Sequence, residues 1–299
     1  MSAHDVYSYG VVSSSTLYGL RGAFPEPEGY AEINDVRYMT GGEAANSSVV
    51  LSRLGVRVKL DGNCLGTDDG GRRTKAFLSD YGIDTSRLPL TEGYEGVQEV
   101  VFAAAGTRTI FGTYCRLQED AKWNMPVEED ITGAKVVCLD PFFREASARV
   151  ARIANDADIP VVTVDCSYDA PLLRRISAVV IAESYIRENY PDRQIDDLFH
   201  EYQRATSGLV IFTFGAGAIW YARPGQAIRH SDPYAIDPVD TTGGGDAFRA
   251  GIVYGFLQGW DDDQMIDFAA ALAALVCTRF PGVLDSPGID DVLMFMRKD

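Results

Sequence analysis

The 299-residue chain is poor in positive charge, and this scarcity limits its partners. It has five lysines, and 27 Lys plus Arg stand against 43 Asp plus Glu, for a formal net charge of −16. Binding to a nucleic acid requires Lys and Arg to replace the counterions of the phosphate backbone, so we expect no nucleic-acid partner. A few local donors still suffice to hold a small anionic ligand against an acidic background.

Cysteine pairs and long apolar runs are also missing. The five cysteines are scattered, without a CxxC pair or a zinc spacing, which is typical of reduced thiols in a cytoplasmic protein. The N-terminus has neither the basic start nor the apolar core of a signal peptide. The longest apolar run, residues 268–277, is too short to span a bilayer. We therefore expect a cytoplasmic location and no membrane partner.

Short β-branched runs alternate with helical patterns along most of the chain. The runs are continuously apolar, as in strands buried on both faces of a parallel sheet. This alternation predicts an α/β fold, a doubly wound and mostly parallel sheet with helices on both faces. The strand candidates are residues 6–12, 58–61, 135–140, 160–165, 178–182 and 209–214.

Two segments interrupt this alternation. Residues 21–40 are rich in Gly, Pro and acidic side chains, and residues 96–114 contain two strand-like runs joined by a short turn. Neither segment contains a crossover helix, so we expect a small antiparallel β-sheet lid. In this interpretation residues 13–40 and 96–117 form the lid, and residues 1–12, 41–95 and 118–299 form the α/β core. Exposed edges of the lid strands favour a homodimer that pairs through the lid.

The stretch TTGGGDAFRAG, residues 241–251, combines three glycines with a carboxylate where a helix begins. Gly243, Gly244 and Gly245 permit positive φ and close approach of an anion to the N–H groups of the first helical turn. A carboxylate beside a bound phosphate is repelled by it unless a hydroxyl group lies between the two. Asp246 then accepts or orients the hydroxyl proton while the amides hold the charge on the phosphoryl group.

Other phosphate-binding motifs are absent from the sequence. No lysine follows a glycine, which excludes a Walker A loop. The glycine pairs lack the third glycine of a GxGxxG fingerprint, and the HRD and DFG set of protein kinases is missing. The three histidines are scattered, without a metal-binding pattern.

Residues 240–248, DTTGGGDAF, resemble the C-terminal signature DTxGAGD of the ribokinase-like (PfkB) carbohydrate kinases. Residues 41–46, GGEAAN, resemble the N-terminal GGxxxN motif of the same family. Two motifs in the right order and at the right separation are more specific than either alone. The resemblance covers nearly the whole chain and implies an α/β core with a β-sheet lid. It also implies an enzyme, an ATP-dependent phosphotransferase whose acceptor is an alcohol group of a sugar or nucleoside.

The resemblance assigns roles to several residues by position. It makes Asp246 the catalytic base and the three glycines before it the anion hole. Asp240 and Thr242 match positions that bind a monovalent cation such as K⁺. The Mg²⁺ that accompanies ATP is expected to bridge the phosphates with few protein ligands. The positions that match sugar contacts are Gly41, Gly42 and Asn46, and the amide of Asn46 has the donor and acceptor capacity that a hydroxyl needs.

The nucleotide side of the resemblance is less regular. The loop after the strand candidate 209–214 carries Thr213, Gly215 and Gly217, which resemble the family's adenosine-binding TxGxxG loop with its second glycine displaced. The family's NxxE motif is replaced by Ala-Glu-Ser-Tyr at residues 182–185, where Glu183 partly substitutes for it.

The acceptor side also departs from the common pattern. Ser15 stands where the family usually has an aspartate that grips sugar hydroxyls, and Asp140 at a strand end is a second candidate for these contacts. The hairpin GTRTIFGTY resembles the lid of ketohexokinase-like members, which favours a keto-sugar. Arg108, at the tip of this hairpin, is predicted to reach the sugar or the transferred phosphate.

Three alternatives stay open at this point. A nucleoside kinase of the same family differs only in its acceptor. A vitamin kinase of the broader superfamily is disfavoured by the GGxxxN motif followed by a lid hairpin. A catalytically weak sugar-binding or regulatory protein is motivated by Ser15 and the missing NxxE motif, although the intact loop around Asp246 argues against it.

Overall fold

A computed structural model describes residues 4–104 and 107–297, so the turn residues 105 and 106 of the predicted hairpin lie outside the described residues. The strands are β1 Val6–Gly10, β2 Ser13–Arg21, β3 Glu32–Gly41, β4 Val58–Gly62, β5 Leu65–Gly66, β6 Leu90–Thr91, β7 Val97–Ala104, β8 Thr107–Gly112, β9 Val136–Leu139, β10 Val161–Val164, β11 Ala178–Ala182, β12 Leu209–Thr213, β13 Ile219–Ala222 and β14 Arg229–Ser231. The helices are α1 Glu43–Arg53, α2 Asp69–Asp80, α3 Tyr114–Asp120, α4 Glu128–Thr132, α5 Glu145–Asp156, α6 Glu183–Asn189, α7 Ile195–Ala205, α8 Gly244–Gln258, α9 Asp262–Cys277 and α10 Ile289–Met296.

The large sheet has the order β14-β13-β12-β11-β10-β9-β1-β4. The six strands from β12 to β4 are parallel to their neighbours and correspond to the six apolar runs of the sequence. Strands β13 and β14 extend the sheet in antiparallel fashion. The predicted fold class, a mostly parallel α/β sheet with a small separate sheet, is therefore confirmed.

Helices cover both faces of this sheet. Successive side chains of a strand point to opposite faces, so the continuously apolar strands present apolar side chains on both. On β9, Val137 lies in one hydrophobic cluster and Cys138 in the other. The cluster around Cys138 includes apolar residues of α1, α8 and α9, and the cluster around Val137 includes those of α5 and α7. Helices α1 and α8 therefore lie on the same face, which brings their first turns together.

The segments predicted to form the lid contribute the strands of a separate four-stranded sheet of order β3-β2-β7-β8, which is called the lid below. Its two hairpins are antiparallel, but β2 and β7 pair in parallel, so the sheet is mixed rather than antiparallel as predicted. The second run of the predicted hairpin also ends earlier than expected. Strand β8 stops at Gly112, and Tyr114 begins helix α3 instead of ending a strand.

The two faces of the lid sheet differ in burial. One face, called the inner face here, carries Leu17, Met39 and Val101, which are buried against Phe280 and Leu284 of the core. The opposite, outer face carries the aromatic side chains of the same strands. They include Tyr18 and Phe102, which stack with ring centroids 5.4 Å apart, and the exposed Tyr38 and Phe111.

No helix within residues 4–104 and 107–297 is long and apolar enough to cross a membrane. The five cysteines are free thiols, of which Cys138 and Cys166 are buried and Cys115 is exposed.

Candidate active site

The glycine run of residues 243–245 forms the turn into α8. Gly243 precedes the helix and has a φ of 76°, a left-handed conformation that favours glycine. A Cβ atom at Gly243 would lie 1.9 Å from the Cγ2 atom of Val283, so the loop of residues 278–285 also requires glycine here. Gly243 is therefore buried and shapes the turn, whereas Gly245 is exposed, with nothing within 4 Å of its Cβ position.

One of the three predicted anion-hole amides is occupied within the turn. The N–H of Gly244 donates to the carbonyl oxygen of Thr241 at 3.2 Å. The N–H groups of Gly245 and Asp246 have no acceptor among the described residues, as expected for a first helical turn. These two amides, with the positive end of the α8 dipole behind them, are the donors best suited to an anion.

Asp246 is held by two consecutive residues of α1. Its Oδ2 atom accepts a hydrogen bond from Nδ2 of Asn46 at 2.8 Å, and its backbone oxygen accepts one from Oγ of Ser47 at 3.1 Å. Burial raises the pKa of Asp246 to about 7, although Arg249 and the bond from Asn46 oppose the increase. The carboxyl group therefore lies beside the open amides with a pKa near neutrality.

The GGxxxN stretch links the lid to α1. Gly42 precedes α1 with a φ of 88°, and a Cβ there would lie 2.4 Å from the oxygen of Val11. A Cβ at Gly41 would lie 1.7 Å from Oε2 of Glu99 in the lid. Close approach of the segment after β1 and of the lid thus explains both glycines. Asn46, at the end of the motif, uses its Nδ2 on Asp246, and its buried Oδ1 has no partner among the described residues.

Ser15 lies on β2 at the inner face of the lid. The residue is 4% exposed, and its Oγ atom has no hydrogen-bond partner among the described residues. A buried hydroxyl without a partner is costly, so this atom is suited to a ligand that enters between lid and core. The predicted role of Ser15 in acceptor binding stays a prediction.

Asp140 does not fit its predicted role as a sugar contact. Its side chain is fully buried. Its Oδ2 atom accepts from the backbone N–H of Val11 at 2.7 Å and of Ala44 at 3.1 Å, and its Oδ1 atom accepts from Nη1 of Arg249 at 2.5 Å. Both oxygens are therefore occupied, and Asp140 ties together β1, α1 and α8.

Arg249 was missed by the sequence analysis. It is fully buried on α8 one turn after Asp246, and its Nε donates to Oγ of Ser47 at 3.0 Å. Ser47 in turn donates to Asp246, so Arg249 and Asp140 fix the position of α1 against the start of α8. The signal was present, because an arginine within the apolar run AFRAGIVYGF needs a buried anionic partner.

Arg108 contacts the glycine loop from the lid. It lies on β8, where it donates from Nη1 to the carbonyl oxygen of Thr241 and, at 2.9 Å, to its hydroxyl group. Thr241 immediately precedes the turn into α8. Arg108 therefore connects the lid to the loop of the candidate anion site, and its predicted contact with the sugar or the transferred phosphate stays a prediction.

The predicted nucleotide residues lie at the same edge of the large sheet. Ala182 at the end of β11 pairs with Thr213 at the end of β12, so Glu183, at the start of α6, follows directly beside Thr213. Gly215 has a φ of 61°, and the N–H of Gly217 donates to the oxygen of Phe214 at 2.9 Å, which makes the loop a tight turn. Glu183 and both glycines are exposed and accessible to a ligand.

Asp240 and Thr242 lie where several oxygen atoms converge. The carboxylate of Asp240 accepts from the N–H groups of Thr242 at 2.9 Å and Gly282 at 3.2 Å. A Cβ at Gly282 would lie 2.9 Å from the oxygen of Val276 and 3.3 Å from the backbone oxygens of Asp240 and Thr242. Thr242 Oγ1 is buried without a partner among the described residues. This oxygen-rich group suits a hard cation such as K⁺.

Comparison with known proteins identifies the class of enzyme. Residues 4–287 match the model of the pfkB family of carbohydrate kinases, so the chain belongs to that family. It is 28% identical to the ATP-dependent ribose-1-phosphate kinase of Halopiger xanaduensis over 92% of each chain. It is 26% identical to a nucleoside kinase of Methanothermobacter thermautotrophicus over 85% of this chain and 83% of that one.

Solved structures give the same fold. A candidate ribokinase from Agrobacterium tumefaciens is 23% identical with a TM-score of 0.89 over 99% of this chain and 98% of that one. The ribokinase of Arabidopsis thaliana, in complex with ribose and ATP, is 18% identical with a TM-score of 0.79 over 99% of each chain. As a member of its family, the protein is a phosphotransferase with an alcohol group as acceptor.

Proposed function

We propose that the protein transfers the γ-phosphoryl group of ATP to a hydroxyl group of a small carbohydrate, with keto-sugars as the first acceptors to test. The observation that carries this proposal is the arrangement at the start of α8. There the carboxylate of Asp246, oriented by Asn46, lies beside the open amides of Gly245 and Asp246 itself. The lid covers this point and offers the unpaired hydroxyl of Ser15.

Asp246 acts as the general base in this mechanism. Its pKa of about 7 makes it a competent proton acceptor at neutral pH, and Asn46 holds its Oδ2 atom in place. The acceptor hydroxyl lies between this carboxylate and the phosphoryl group. As the hydroxyl oxygen attacks the γ-phosphorus, its proton moves to Asp246, and the bond from the γ-phosphorus to the bridging oxygen of ADP breaks to release ADP. The open amides of the α8 turn stabilise the charge that develops on the phosphoryl oxygens. The lid excludes water, which protects the transfer from hydrolysis.

The nucleotide is proposed to bind along the edge formed by the ends of β11 and β12. The turn at Gly215 and Gly217 leaves room for the adenosine. The exposed Glu183 directly follows the end of β11 and is the proposed carboxylate of this region. The Mg²⁺ that accompanies ATP would neutralise part of the phosphate charge, and the exposed Glu183 would be the residue at this end of the sheet to hold it.

A monovalent cation is proposed to bind beside the glycine turn. The backbone oxygens around Gly282 and the unpaired hydroxyl of Thr242 supply neutral oxygen ligands, and Asp240 supplies a negative charge. A cation there would fix the loop that precedes α8 and so stabilise the open amides.

The function is tested by following ADP release with a panel of acceptors that includes fructose, ribose and nucleosides. We expect ADP release to depend on a carbohydrate acceptor, and NMR of the product to show a new phosphate ester. A nucleoside acceptor is the second candidate, because one relative at 26% identity is a nucleoside kinase. Binding of sugars without ADP release in any mixture would instead favour a sugar-binding or regulatory protein.

The outer face of the lid is proposed to pair with a second copy of the chain. It exposes Tyr38 and Phe111 at 59% and 55%, and a groove of about 860 Å³ lies between this face and α2. Apolar surface of this kind on an open sheet is a site of association. Light scattering should give a dimer for the wild type and a monomer for Tyr38→Glu combined with Phe111→Glu. A monomeric wild type at micromolar concentration would exclude this pairing.

A further inference from the structure

Glu99 is an acidic residue on the inner face of the lid to which the mechanism gives no role. The parallel pairing of β2 with β7 places it directly beside Ser15, just as Val101 lies beside Leu17 in the buried cluster of that face. Neighbouring strands of a sheet are about 4.8 Å apart. The carboxylate of Glu99 and the unpaired hydroxyl of Ser15 therefore face the same space between the lid and the core.

Two hydroxyl groups orient the carboxylate of Glu99, which is half-buried. Its Oε2 atom accepts a hydrogen bond from Oγ of Ser13 at 2.8 Å, and its Oε1 atom accepts one from the hydroxyl group of Tyr114. Burial raises the pKa of Tyr114 far above its usual value, and Glu99 and Glu43 add to the increase, so the phenol stays a donor. A carboxylate accepts about four hydrogen bonds, so each oxygen of Glu99 keeps the capacity for one more.

Two glycines make room for this arrangement. A Cβ atom at Gly41 would lie 1.7 Å from Oε2 of Glu99. A Cβ atom at Gly112, which pairs with Glu99 on β8, would lie 2.7 Å from the ring of Tyr114. The chain thus omits a side chain at two positions around one carboxylate and the phenol that orients it.

Glu99 borders the chamber between the lid and α1, in which Asp246 also lies. Burial raises the pKa of Glu43, the first residue of α1, to about 8, and the carboxylates of Asp140 and Asp246 add to the increase. Glu43 in turn acts on the pKa of Tyr114, the partner of Glu99. Glu43 therefore lies within electrostatic reach of both Asp246 and Tyr114, so Glu99 and the proposed base are parts of one site.

Unpaired atoms mark the place of a ligand in this chamber. Oγ of Ser15 and Oδ1 of Asn46 have no partners among the described residues, and both residues are more than nine-tenths buried. A buried polar atom without a partner is costly, unless a ligand supplies the missing bond. An acceptor that bonds to the hydroxyl of Ser15 lies beside Glu99, whose two oxygens can each accept from one further hydroxyl group.

We propose that Glu99 binds the acceptor by accepting hydrogen bonds from two neighbouring hydroxyl groups, and that Ser13 and Tyr114 are positioning residues that orient its carboxylate. The inference rests on the proposed kinase function and adds a residue that selects the acceptor. Ser15 offers only a neutral hydroxyl at the neighbouring position. Hydrogen bonds to a carboxylate are about twice as strong as those between neutral groups, so Glu99 contributes most of the recognition by the lid.

The first test measures kcat/KM for fructose, ribose and adenosine from ADP release. Glu99→Gln keeps the shape of the side chain but removes its charge, so kcat/KM for the acceptor should fall about 30-fold, mostly through a higher KM. The KM for ATP should stay unchanged. Glu92→Gln, at an exposed position before β7, is the matched control and should behave as the wild type.

A carboxylate moved to the neighbouring strand separates binding from a structural role. Ser15→Asp combined with Glu99→Gln should recover about 10-fold of the lost kcat/KM, because the strand register places residue 15 beside residue 99. Ser15→Asp alone brings two carboxylates together and should lower kcat/KM. Tyr114→Phe removes one donor but keeps the carboxylate of Glu99, so its loss should be only about 3-fold.

Three results would overturn the proposal: an unchanged acceptor kcat/KM in Glu99→Gln, a double variant no better than Glu99→Gln, or an equal loss in Tyr114→Phe. Where Glu99→Gln does not fold, Glu99→Asp replaces it, and a wild-type kcat/KM in that variant overturns the proposal as well.

The proposed function can fail separately. If no acceptor releases ADP, the kinase proposal fails, and thermal-shift measurements with fructose, ribose and adenosine then decide the inference. Stabilisation that the wild type shows and Glu99→Gln lacks supports the role of Glu99. Equal stabilisation of both proteins, or of neither, overturns it.

Discussion

Asp140 and Asp246 occupy neighbouring positions at one edge of the core but have opposite environments. Asp140 is fully buried, and Arg249 and two backbone N–H groups occupy its oxygens. Asp246 is only partly buried, and the one hydrogen bond that its carboxylate receives within residues 4–104 and 107–297 comes from the neutral amide of Asn46. An aspartate thus has a structural role where a cation and backbone amides bind its oxygens, and in the proposed mechanism it has a chemical role where its pKa lies near neutrality.

This difference predicts that removal of the two carboxylates has different effects on the stability of the fold. Loss of Asp140 leaves the charge of Arg249 buried and uncompensated, which destabilises the fold. Loss of Asp246 removes a group whose ionised form is disfavoured by burial, so the fold should tolerate it.

The largest expected effect is on turnover. Asp246→Asn keeps the shape and the contact with Asn46 but removes the proton acceptor, so kcat should fall by roughly 10²–10⁴-fold. ATP binding, measured by calorimetry, should change little. Asp192→Asn, at an exposed loop position, is the control and should retain wild-type turnover. Wild-type turnover in Asp246→Asn would remove this residue from its proposed role.

The next largest effect is on stability. Asp140→Ala should lower the free energy of unfolding by about 3–5 kcal/mol, because it strands the buried Arg249. Urea unfolding followed by circular dichroism measures this change. Replacing the pair together, Asp140→Leu with Arg249→Met, should recover most of the loss. A double variant as unstable as the single one would show that the ion pair is not the source of the effect.

The pH dependence sharpens the comparison further. Because the base must be ionised and the pKa of Asp246 is about 7, kcat/KM should fall about tenfold per pH unit below pH 7. The free energy of unfolding should change with pH in the opposite direction and decrease as pH rises. The folded-state pKa exceeds that of the unfolded chain, so the stabilisation by the protonated form is complete below about pH 4 and is lost as pH rises through 7. Thermal unfolding of Asp246→Asn should lack this decline, and a parallel decline in both proteins would contradict the assignment.

The smallest expected effect concerns the link between lid and core. Arg108→Gln removes a positive charge that lowers the pKa of Asp246, so the midpoint of the pH profile should move to higher pH. Because Arg108 is exposed, the loss in kcat/KM at pH 8 should be only about 5-fold. Arg108→Lys keeps the charge and should leave the midpoint in place while losing the paired bonds to Thr241. If the midpoint of the pH profile does not move in Arg108→Gln, the charge of this lid residue does not affect the pKa of Asp246.

The main features of the fold were predictable because their signals are local. Continuous apolar runs identified the six parallel strands, and the glycine-rich turn identified the start of α8. The parallel pairing of β2 with β7 was not predictable, since it depends on how two distant hairpins pack against the core. Strand β8 was predicted two residues too late, at Thr109 to Tyr114, because these residues have the composition of a strand, yet the strand is Thr107–Gly112 and α3 begins at Tyr114.

The candidate site was predictable only in part for the same reason. Asp246 and Asn46 could be named from motifs, but their contact across 200 positions follows from the packing of α1 on α8. Asp140 was predicted to face a ligand because strand ends often do so. Its actual partner, Arg249, lies 109 residues away, and no local pattern joins the two.

Strand β3 of the lid runs through Gly41 and Gly42 straight into α1, whose next turn supplies Asn46 and Ser47. The lid strand β3 and the two residues that bond to Asp246 therefore belong to one continuous stretch of the chain. We expect an outward movement of the lid to shift Asn46 and Ser47 as well. The carboxylate of Asp246 would then be oriented for proton transfer only while the lid encloses an acceptor. Such coupling would suppress ATP hydrolysis when no acceptor is bound.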